Sequence, residues 1–264
     1  MIAADLVRSG RLAEALEALQ QDIRQKPDDQ GLRIFLFQLD CVLGRFEKAL
    51  GQLQLLAALD AETMLMAQVY RQLIGCELLR REVFAGTRTP VVFGEPSEWM
   101  GFLIQSATLT AQQRFGEAAQ LRSQAFDAAP ATPGKVDGKP FEWIADADSR
   151  LGPVIEAILD GKYYWVPFCR LSKVEIGKPV DLRDAVWVPS QFTWTNGGIA
   201  SGFIPVRYSG TEATDDDALR LARKTTWNEA AADCYLGCGQ RMLSTDAGEY
   251  PLLDCRVIEL SSGP

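Results

Sequence analysis

The chain has 264 residues and a mass of 29.1 kDa, which is enough for one large or two modest domains with a hydrophobic core. It carries 27 basic and 35 acidic residues, a formal net charge of −8, and no basic run, which argues against nucleic-acid or anionic-membrane partners. It contains no histidine, and this excludes Ser-His-Asp and Cys-His catalysis as well as histidine-ligated metal sites.

The N-terminal part contains an internal repeat. Gly10-Arg-Leu-Ala-Glu-Ala-Leu16 and Gly44-Arg-Phe-Glu-Lys-Ala-Leu50 are close copies whose first glycines are 34 positions apart, the period of tetratricopeptide repeats. A third copy, Gln113-Arg-Phe-Gly-Glu-Ala-Ala119, follows after two periods plus one residue, so we expect a degenerate repeat between them. The glycine would form the turn between two helices. The position just past the second helix of each pair is occupied by Pro27, Ala61 and Pro130.

The patterning changes character along the chain. Apolar residues recur at helical intervals over residues 32–43, 64–79 and 99–110, with a proline-containing loop at 87–96 inserted into the degenerate repeat. A Gly- and Pro-rich segment follows at 131–140. The predicted C-terminal elements are a helix over 151–160, strands over 162–168, 171–176, 184–188, 191–195, 203–208 and 252–260, a turn at 196–198, and a short Asp-capped helix over 215–223.

These elements predict a multi-domain fold of the α and α+β classes. Residues 1–132 would form an all-helical, tetratricopeptide-like domain, and residues 133–264 a mainly antiparallel α+β domain.

The cysteines and the hydropathy indicate a reducing, aqueous compartment. Six cysteines are scattered along the chain, and the one close pair, Cys234 and Cys238, lacks the spacing of redox or zinc motifs. If that segment is helical, the two thiols share a buried face. No apolar run approaches about 18 residues, and the first ten residues do not resemble a signal peptide. We therefore expect a cytoplasmic protein without disulfide, metal or cofactor.

Several C-terminal motifs occur together and in a fixed order. They include Trp143-Ile-Ala-Asp-Ala-Asp-Ser-Arg-Leu-Gly-Pro153, Tyr163-Tyr-Trp-Val-Pro-Phe168, Val186-Trp-Val-Pro189, Ile204-Pro-Val-Arg-Tyr208, Gly239-Gln-Arg-Met242 and Pro251-Leu-Leu-Asp254. Through these motifs, most of the chain resembles the ImpE family, also called the TagJ family, of bacterial type VI secretion.

The resemblance implies a non-enzymatic accessory role in the cytoplasm. It also implies a partner, the TssB-like small subunit of the contractile sheath, bound through an N-terminal helical segment of that subunit. A link to the AAA+ ATPase that dismantles the sheath would be indirect.

The sequence leaves two docking surfaces open. Stacked helix pairs line a concave surface with the first helix of each pair, and such grooves suit an amphipathic helix. The residues predicted to line this groove are Ile34, Gln38, Val42, Met100 and Leu103. The C-terminal domain is the alternative. Its tryptophans are expected mostly in the core, with a binding surface as the other possibility: Trp143, Trp165, Trp187, Trp194 and Trp227.

A carboxylate-dependent hydrolase is the alternative function. Asp146 and Asp148, with Asp181 or Asp184, have the chemistry to bind a cation or share a proton. The hypothesis requires these acids to converge in a solvent-reachable cleft. A scaffold would instead pair them with Arg150 or Arg183.

Overall fold

The computed structural model describes residues 2–58, 61–95 and 97–261. The predicted outer domain limits at residues 1 and 264, and the end of the predicted loop at residue 96, lie outside these ranges. The helices are α1 (Ile2–Arg8), α2 (Leu12–Gln25), α3 (Gln30–Val42), α4 (Phe46–Ala57), α5 (Ala61–Phe84), α6 (Glu98–Ala111), α7 (Phe115–Ala128) and α8 (Asp217–Arg220). Across the described ranges, none of them is both long and apolar enough to cross a bilayer.

All the described strands except the first follow α7. They are β1 (Val91–Val92), β2 (Gly134–Val136), β3 (Lys139–Phe141), β4 (Ile144–Asp146), β5 (Val154–Leu159), β6 (Lys162–Pro167), β7 (Leu171–Ile176), β8 (Trp187–Trp194), β9 (Ile199–Pro205), β10 (Thr225–Ala231), β11 (Cys234–Gly239), β12 (Met242–Thr245), β13 (Gly248–Pro251) and β14 (Val257–Leu260). Short 3₁₀ helices lie at Phe168–Arg170, Leu182–Ala185, Thr211–Ala213 and Leu252–Asp254.

The strands form one large sheet and two small ones. The large sheet has the order β1-β6-β5-β9-β8-β7-β14-β2-β3, and its pairs are antiparallel except for β1 and β6. Strands β10 and β11 form a hairpin, and β13-β12-β4 form a three-stranded sheet. The predicted fold class, tetratricopeptide-like helices followed by a mainly antiparallel α+β part, is confirmed.

The repeat motif specifies the turn between paired helices. The turns α1–α2, α3–α4 and α6–α7 contain Gly10, Gly44 and Gln113, with φ of +74°, +68° and +62°. Glycine adopts this left-handed conformation without the Cβ clash that other residues meet. Between the helix pairs α3–α4 and α6–α7 there is one helix, α5, where a helix pair was expected. Gly86, with φ +72°, and the loop after it end α5, so that repeat lacks its second helix.

The predicted helix over 151–160 is wrong, because this segment forms strand β5. Its six residues are all buried, since β5 is covered on both faces of the sheet. Val154 and Ile158 face the helices, whereas Ile155 and Leu159 belong to the core on the other side. A run buried on both faces shows no strand alternation, so periodicity alone does not distinguish it from a helix.

Other boundaries also differ from the prediction. The strands predicted over 184–188 and 191–195 are one strand, β8, preceded by a 3₁₀ helix, and Pro189 lies within it. The strand predicted over 203–208 begins earlier, at Ile199, and the strand predicted over 252–260 covers only Val257–Leu260. Cys234 and Cys238 lie on a strand, not on a helix. The turn at 196–198 joins β8 to β9 as predicted.

The helices pack on one face of the large sheet and share a core with it. Trp165 and Trp187 of the sheet are fully buried among helical residues such as Phe37 and Leu103. Helices therefore give way to strands between Ala128 and Gly134, close to the predicted boundary, without a break in the packing. Division into two domains at residues 132 and 133 stays a prediction.

Polar side chains of the sheet part also cap N-terminal helices. Arg207 Nη1 donates a hydrogen bond to the carbonyl of Val42 (2.7 Å), at the end of α3. Asp217 Oδ2 accepts one from the backbone N–H of Leu12 (2.8 Å), at the start of α2. The predicted cap of the short helix is present too, because the side chain of Asp216 accepts from α8 backbone N–H groups.

Candidate partner-binding site

The five residues predicted to line a groove do not form an exposed one. Val42, Met100 and Leu103 are at most 1% exposed, and Gln38 is also buried. Ile34 alone is partly exposed. The helical period identified an apolar stripe on these helices, but the stripe packs inward against the other helices and the sheet. A partner therefore cannot touch four of these side chains unless the core opens.

The candidate catalytic acids are buried and paired. Asp148 binds Arg150 through both carboxylate oxygens, at 2.8 Å to Nε and 2.6 Å to Nη2. Asp146 pairs with Arg241, an arginine that sequence reasoning did not single out. Neither acid has an exposed carboxylate, since both residues are at most 3% exposed. The Arg150 pairing is the arrangement expected of a scaffold.

The remaining two acids are structural as well. Asp181 pairs with Arg183 at 2.8 Å, and Asp184 accepts hydrogen bonds from the backbone N–H groups of Val180 and Asp181. They form a capping box around the 3₁₀ helix before β8. No group of three or more acidic or cysteine side chains within the described ranges is placed to hold a metal ion. The six cysteines, all within those ranges, carry free thiols.

A buried ionic network that includes Asp146 joins helix α5 to the large sheet. Glu156 of β5 accepts from Arg80 of α5 at 2.6 and 2.9 Å, and it also accepts from Arg241 and from the hydroxyl of Tyr163. Burial raises the pKa of the Glu156 carboxyl, but Arg80 and Arg241 outweigh that effect and lower it to about 2. Burial dominates at Asp146 and raises its pKa to about 6. The sequence signal for this network was a single glutamate within an apolar run.

Asp146 also lines a pocket of about 670 Å³, which lies where the helical repeats end and the sheet part begins. Its walls come from the end of α7 and the following segment, from β4 and its loop, from the β10–β11 hairpin, and from β12 and β13. Four of its lining residues are large aromatics: Phe126, Trp143, Trp227 and Tyr235. We call it the aromatic pocket. Each of the four is between 38% and 42% exposed.

Close packing holds the aromatic pocket in shape. Gly152 has φ +52°, and a Cβ at this position would lie 2.3 Å from the ring of Phe126. The absent side chain lets the ring rest on the backbone, which ties α7 to the loop after β4. The ring of Trp227 packs on that of Tyr208, with 5.6 Å between centroids. The ring of Tyr208 in turn occupies the space that a Cβ on Gly237 would need.

The polar groups of the aromatic pocket fall into two classes. The carboxylates of Asp146 and Asp148 are satisfied internally. By contrast, the indole N–H groups of Trp143 and Trp227 and the hydroxyl of Tyr235 have no hydrogen-bond partner in the described part of the chain. Aromatic side chains with an apolar body and a free polar tip are typical of binding surfaces.

Comparison with known proteins places the chain in a family. The family model described as ImpE protein matches residues 138–259, the part that supplies most of the aromatic pocket. The type VI secretion system accessory component TagJ of Pseudomonas aeruginosa is 50% identical over 260 residues, which are 98% of this chain and 91% of that protein. The chain belongs to the ImpE family.

The ImpE fold is also seen in a solved structure. The X-ray crystal structure of protein VPA1032 from Vibrio parahaemolyticus matches this ImpE chain with a TM-score of 0.91 at 27% identity. The match covers 100% of this chain and 98% of the other. The helices are therefore placed on the sheet in the same way in both proteins.

Proposed function

We propose that this ImpE-family chain is a non-enzymatic accessory adaptor of a bacterial type VI secretion system, acting in the cytoplasm. It binds the small subunit of the contractile sheath through that subunit's N-terminal helical segment. The role of the Pseudomonas aeruginosa relative supports the accessory function. Any effect on the AAA+ ATPase that dismantles the sheath would pass through the bound sheath subunit.

The observation that carries the adaptor function is the aromatic pocket. Its half-exposed aromatic side chains form a concave apolar surface of the kind that protein partners cover. The hydrolase alternative has no comparable support, because the carboxylates of Asp146 and Asp148 are buried and paired with arginines, and Asp181 and Asp184 cap a 3₁₀ helix.

The test is a titration of the purified chain with the small sheath subunit, in which calorimetry measures the heat of binding. We expect a dissociation constant of about micromolar, because a short helix makes few contacts and must be ordered on binding. The isolated N-terminal segment should bind with similar strength. The matched control is the same subunit without that segment.

Two results would contradict the proposal. Absence of binding to the full-length subunit at any salt concentration would remove the adaptor function. Equal binding by the subunit without its segment would move recognition to another part of the partner.

A further inference from the structure

We propose that the aromatic pocket is the docking site, and that it accepts a short helix whose apolar face is flanked by lysine or arginine. The identity of the helix rests on the proposed function. The structure adds the place of contact and the chemistry of the helix that fits there.

The size and shape of the pocket fit the side chains of one helix face. A helix with its side chains is about 10–12 Å across, so the helix body would lie over a pocket of about 670 Å³ while its apolar side chains enter it. The free polar tips of Trp143, Trp227 and Tyr235 are then available to carbonyls or side chains at the edge of that helix. Contacts of this kind follow the i, i+3, i+4 pattern of helix-in-groove recognition.

The satisfied polar groups argue against a small polar ligand. A small-molecule site orients its ligand with a few convergent polar groups. Here the carboxylates of Asp146 and Asp148, and the Oγ of Ser149, already accept internal hydrogen bonds. Apolar contact at the four rings is therefore the main interaction that the site offers.

The charge around the pocket favours a cationic partner. Among the described residues, none that lines it is a lysine or an arginine, whereas Glu249 lines it and is exposed. Glu229 lies directly opposite Tyr235 in the β10–β11 register, so both side chains are on the same face of the hairpin. Neither glutamate forms an ion pair with a described residue. Basic side chains beside an apolar helix face would complement them.

The end of α7 adds to the negative potential. Its last turn precedes the lining residues Ala129 and Pro130, and the carbonyl end of a helix carries a partial negative charge. No basic residue is present in that turn, and Asp127 is, which is the unfavourable sign for this position. A lysine or arginine from the partner would relieve the unfavourable charge.

The experiment compares pocket variants in the full-length chain, with the isolated N-terminal segment of the small sheath subunit as the probe. Trp143→Ala and Tyr235→Ala remove half-exposed rings, so the fold should survive, as circular dichroism and the melting temperature would verify. Each should raise the dissociation constant more than about tenfold. The control is Ile199→Ala, which removes an exposed apolar side chain outside the pocket and should leave binding unchanged.

A matched pair of charge reversals tests the electrostatic part. Glu249 and Glu259 are both exposed strand glutamates, but Glu259 does not line the pocket. Glu249→Lys should weaken binding roughly fivefold at low salt, and the difference should shrink as salt screens the charges. Glu259→Lys should stay within about twofold of wild type.

The outcomes separate this inference from the function on which it rests. If the wild-type chain does not bind the segment, the adaptor function and the docking site both fail. If wild type binds and folded Trp143→Ala and Tyr235→Ala bind equally well, only the docking site is overturned. Loss of binding in Leu65→Asp instead would move the site to the exposed apolar face of α5.

Two further results identify a different occupant and would overturn the proposal. If light scattering on the chain alone gives a dimer that Tyr235→Ala converts to a monomer, the pocket holds a second copy. A small molecule retained by wild type in native mass spectrometry, and lost in Trp143→Ala, would make the pocket a ligand site.

Discussion

Glu156 shows how one residue connects the two parts of the molecule. It lies in the middle of a strand that is buried on both faces, where an unpaired carboxylate would be strongly unfavourable. Arg80 approaches it from helix α5, and Arg241 approaches from the segment after β11. The carboxylate is therefore a shared acceptor for two buried cations that come from distant parts of the sequence.

We predict that Glu156→Gln strongly destabilises the chain at neutral pH. The substitution removes the counter-charge that Arg80 and Arg241 share and leaves them with Glu77 and Asp146 as their remaining buried partners. The free energy of unfolding should therefore fall by about 3 kcal/mol, the lower end of the cost of breaking a buried ion pair. The pKa of Glu156 is about 2 in the folded state, below its usual value of 4.5. Its contribution is therefore complete above pH 4.5 and is lost as the pH falls toward 2.

Urea denaturation from pH 7 to pH 3 would check this prediction. The difference in the free energy of unfolding between wild type and Glu156→Gln should become smaller below pH 4.5. A difference that does not change with pH would contradict the prediction. Asp146→Asn is the contrasting control. Because burial raises the pKa of Asp146 to about 6, its ionisation lowers stability as the pH rises from about 4 to 6. At pH 7, Asp146→Asn should therefore lower the free energy of unfolding less than Glu156→Gln does.

At the scale of the element, the turns between helices explain why the repeat could be recognised in the sequence. Gly10 and Gly44 form turns with positive φ. Because this backbone conformation depends on the residue at that position, the sequence alone indicates the turn. The third turn has the same backbone with Gln113, whose Cβ is disfavoured there. The repeat was found at that turn only because the residues after it, from Arg114 to Ala119, keep the pattern.

We predict that Gln113→Gly stabilises the chain. Glycine removes the strain of a side chain at φ +62°, and the gain should be about 0.5–1 kcal/mol after its larger chain entropy in the unfolded state is counted. Gln113→Ala is the control, since it keeps a Cβ and so keeps the strain. Thermal denaturation measures both, and a glycine variant no more stable than the alanine variant would refute the explanation.

Strand β5 shows where reasoning at this scale fails. Val154 to Leu159 is a continuous apolar run followed by Gly161, and the same letters fit a helix with a glycine cap or a buried strand with a tight turn. Only the partners decide, because β5 is paired on both edges and covered on both faces. Strands β10 to β13 were missed because most of their residues are exposed or half-exposed, so the sequence shows no clear buried alternation there.

At the scale of the whole molecule, the shared core joins the helical repeats to the sheet. Trp165 and Trp187 are buried among helical residues, and Arg207 caps helix α3 from the sheet side. Each part contributes apolar and charged side chains to the shared interior, so separating the two parts would expose those side chains to water. The two parts are expected to depend on each other for stability.

We predict that the chain unfolds in a single cooperative transition. Circular dichroism at 222 nm reports mainly the helices, whereas tryptophan fluorescence reports mainly the sheet part, because Trp99 is the one tryptophan that lies before residue 130. Both signals should give the same urea midpoint. Two separate midpoints would mean that the predicted domains, 1–132 and 133–264, fold independently.

The sequence by itself determined the features that depend on neighbours along the chain. The helix period, the positive-φ turns, the change of pattern near residue 130 and the motifs of the family all come from short segments, so local rules suffice. Tertiary structure decided which apolar side chains are covered. Met100 and Leu103 became core, whereas Trp143 and Trp227 line an open pocket, because exposure depends on segments that meet only after folding. The pairing of Asp146 with Arg241, 95 positions away, was decided in the same way.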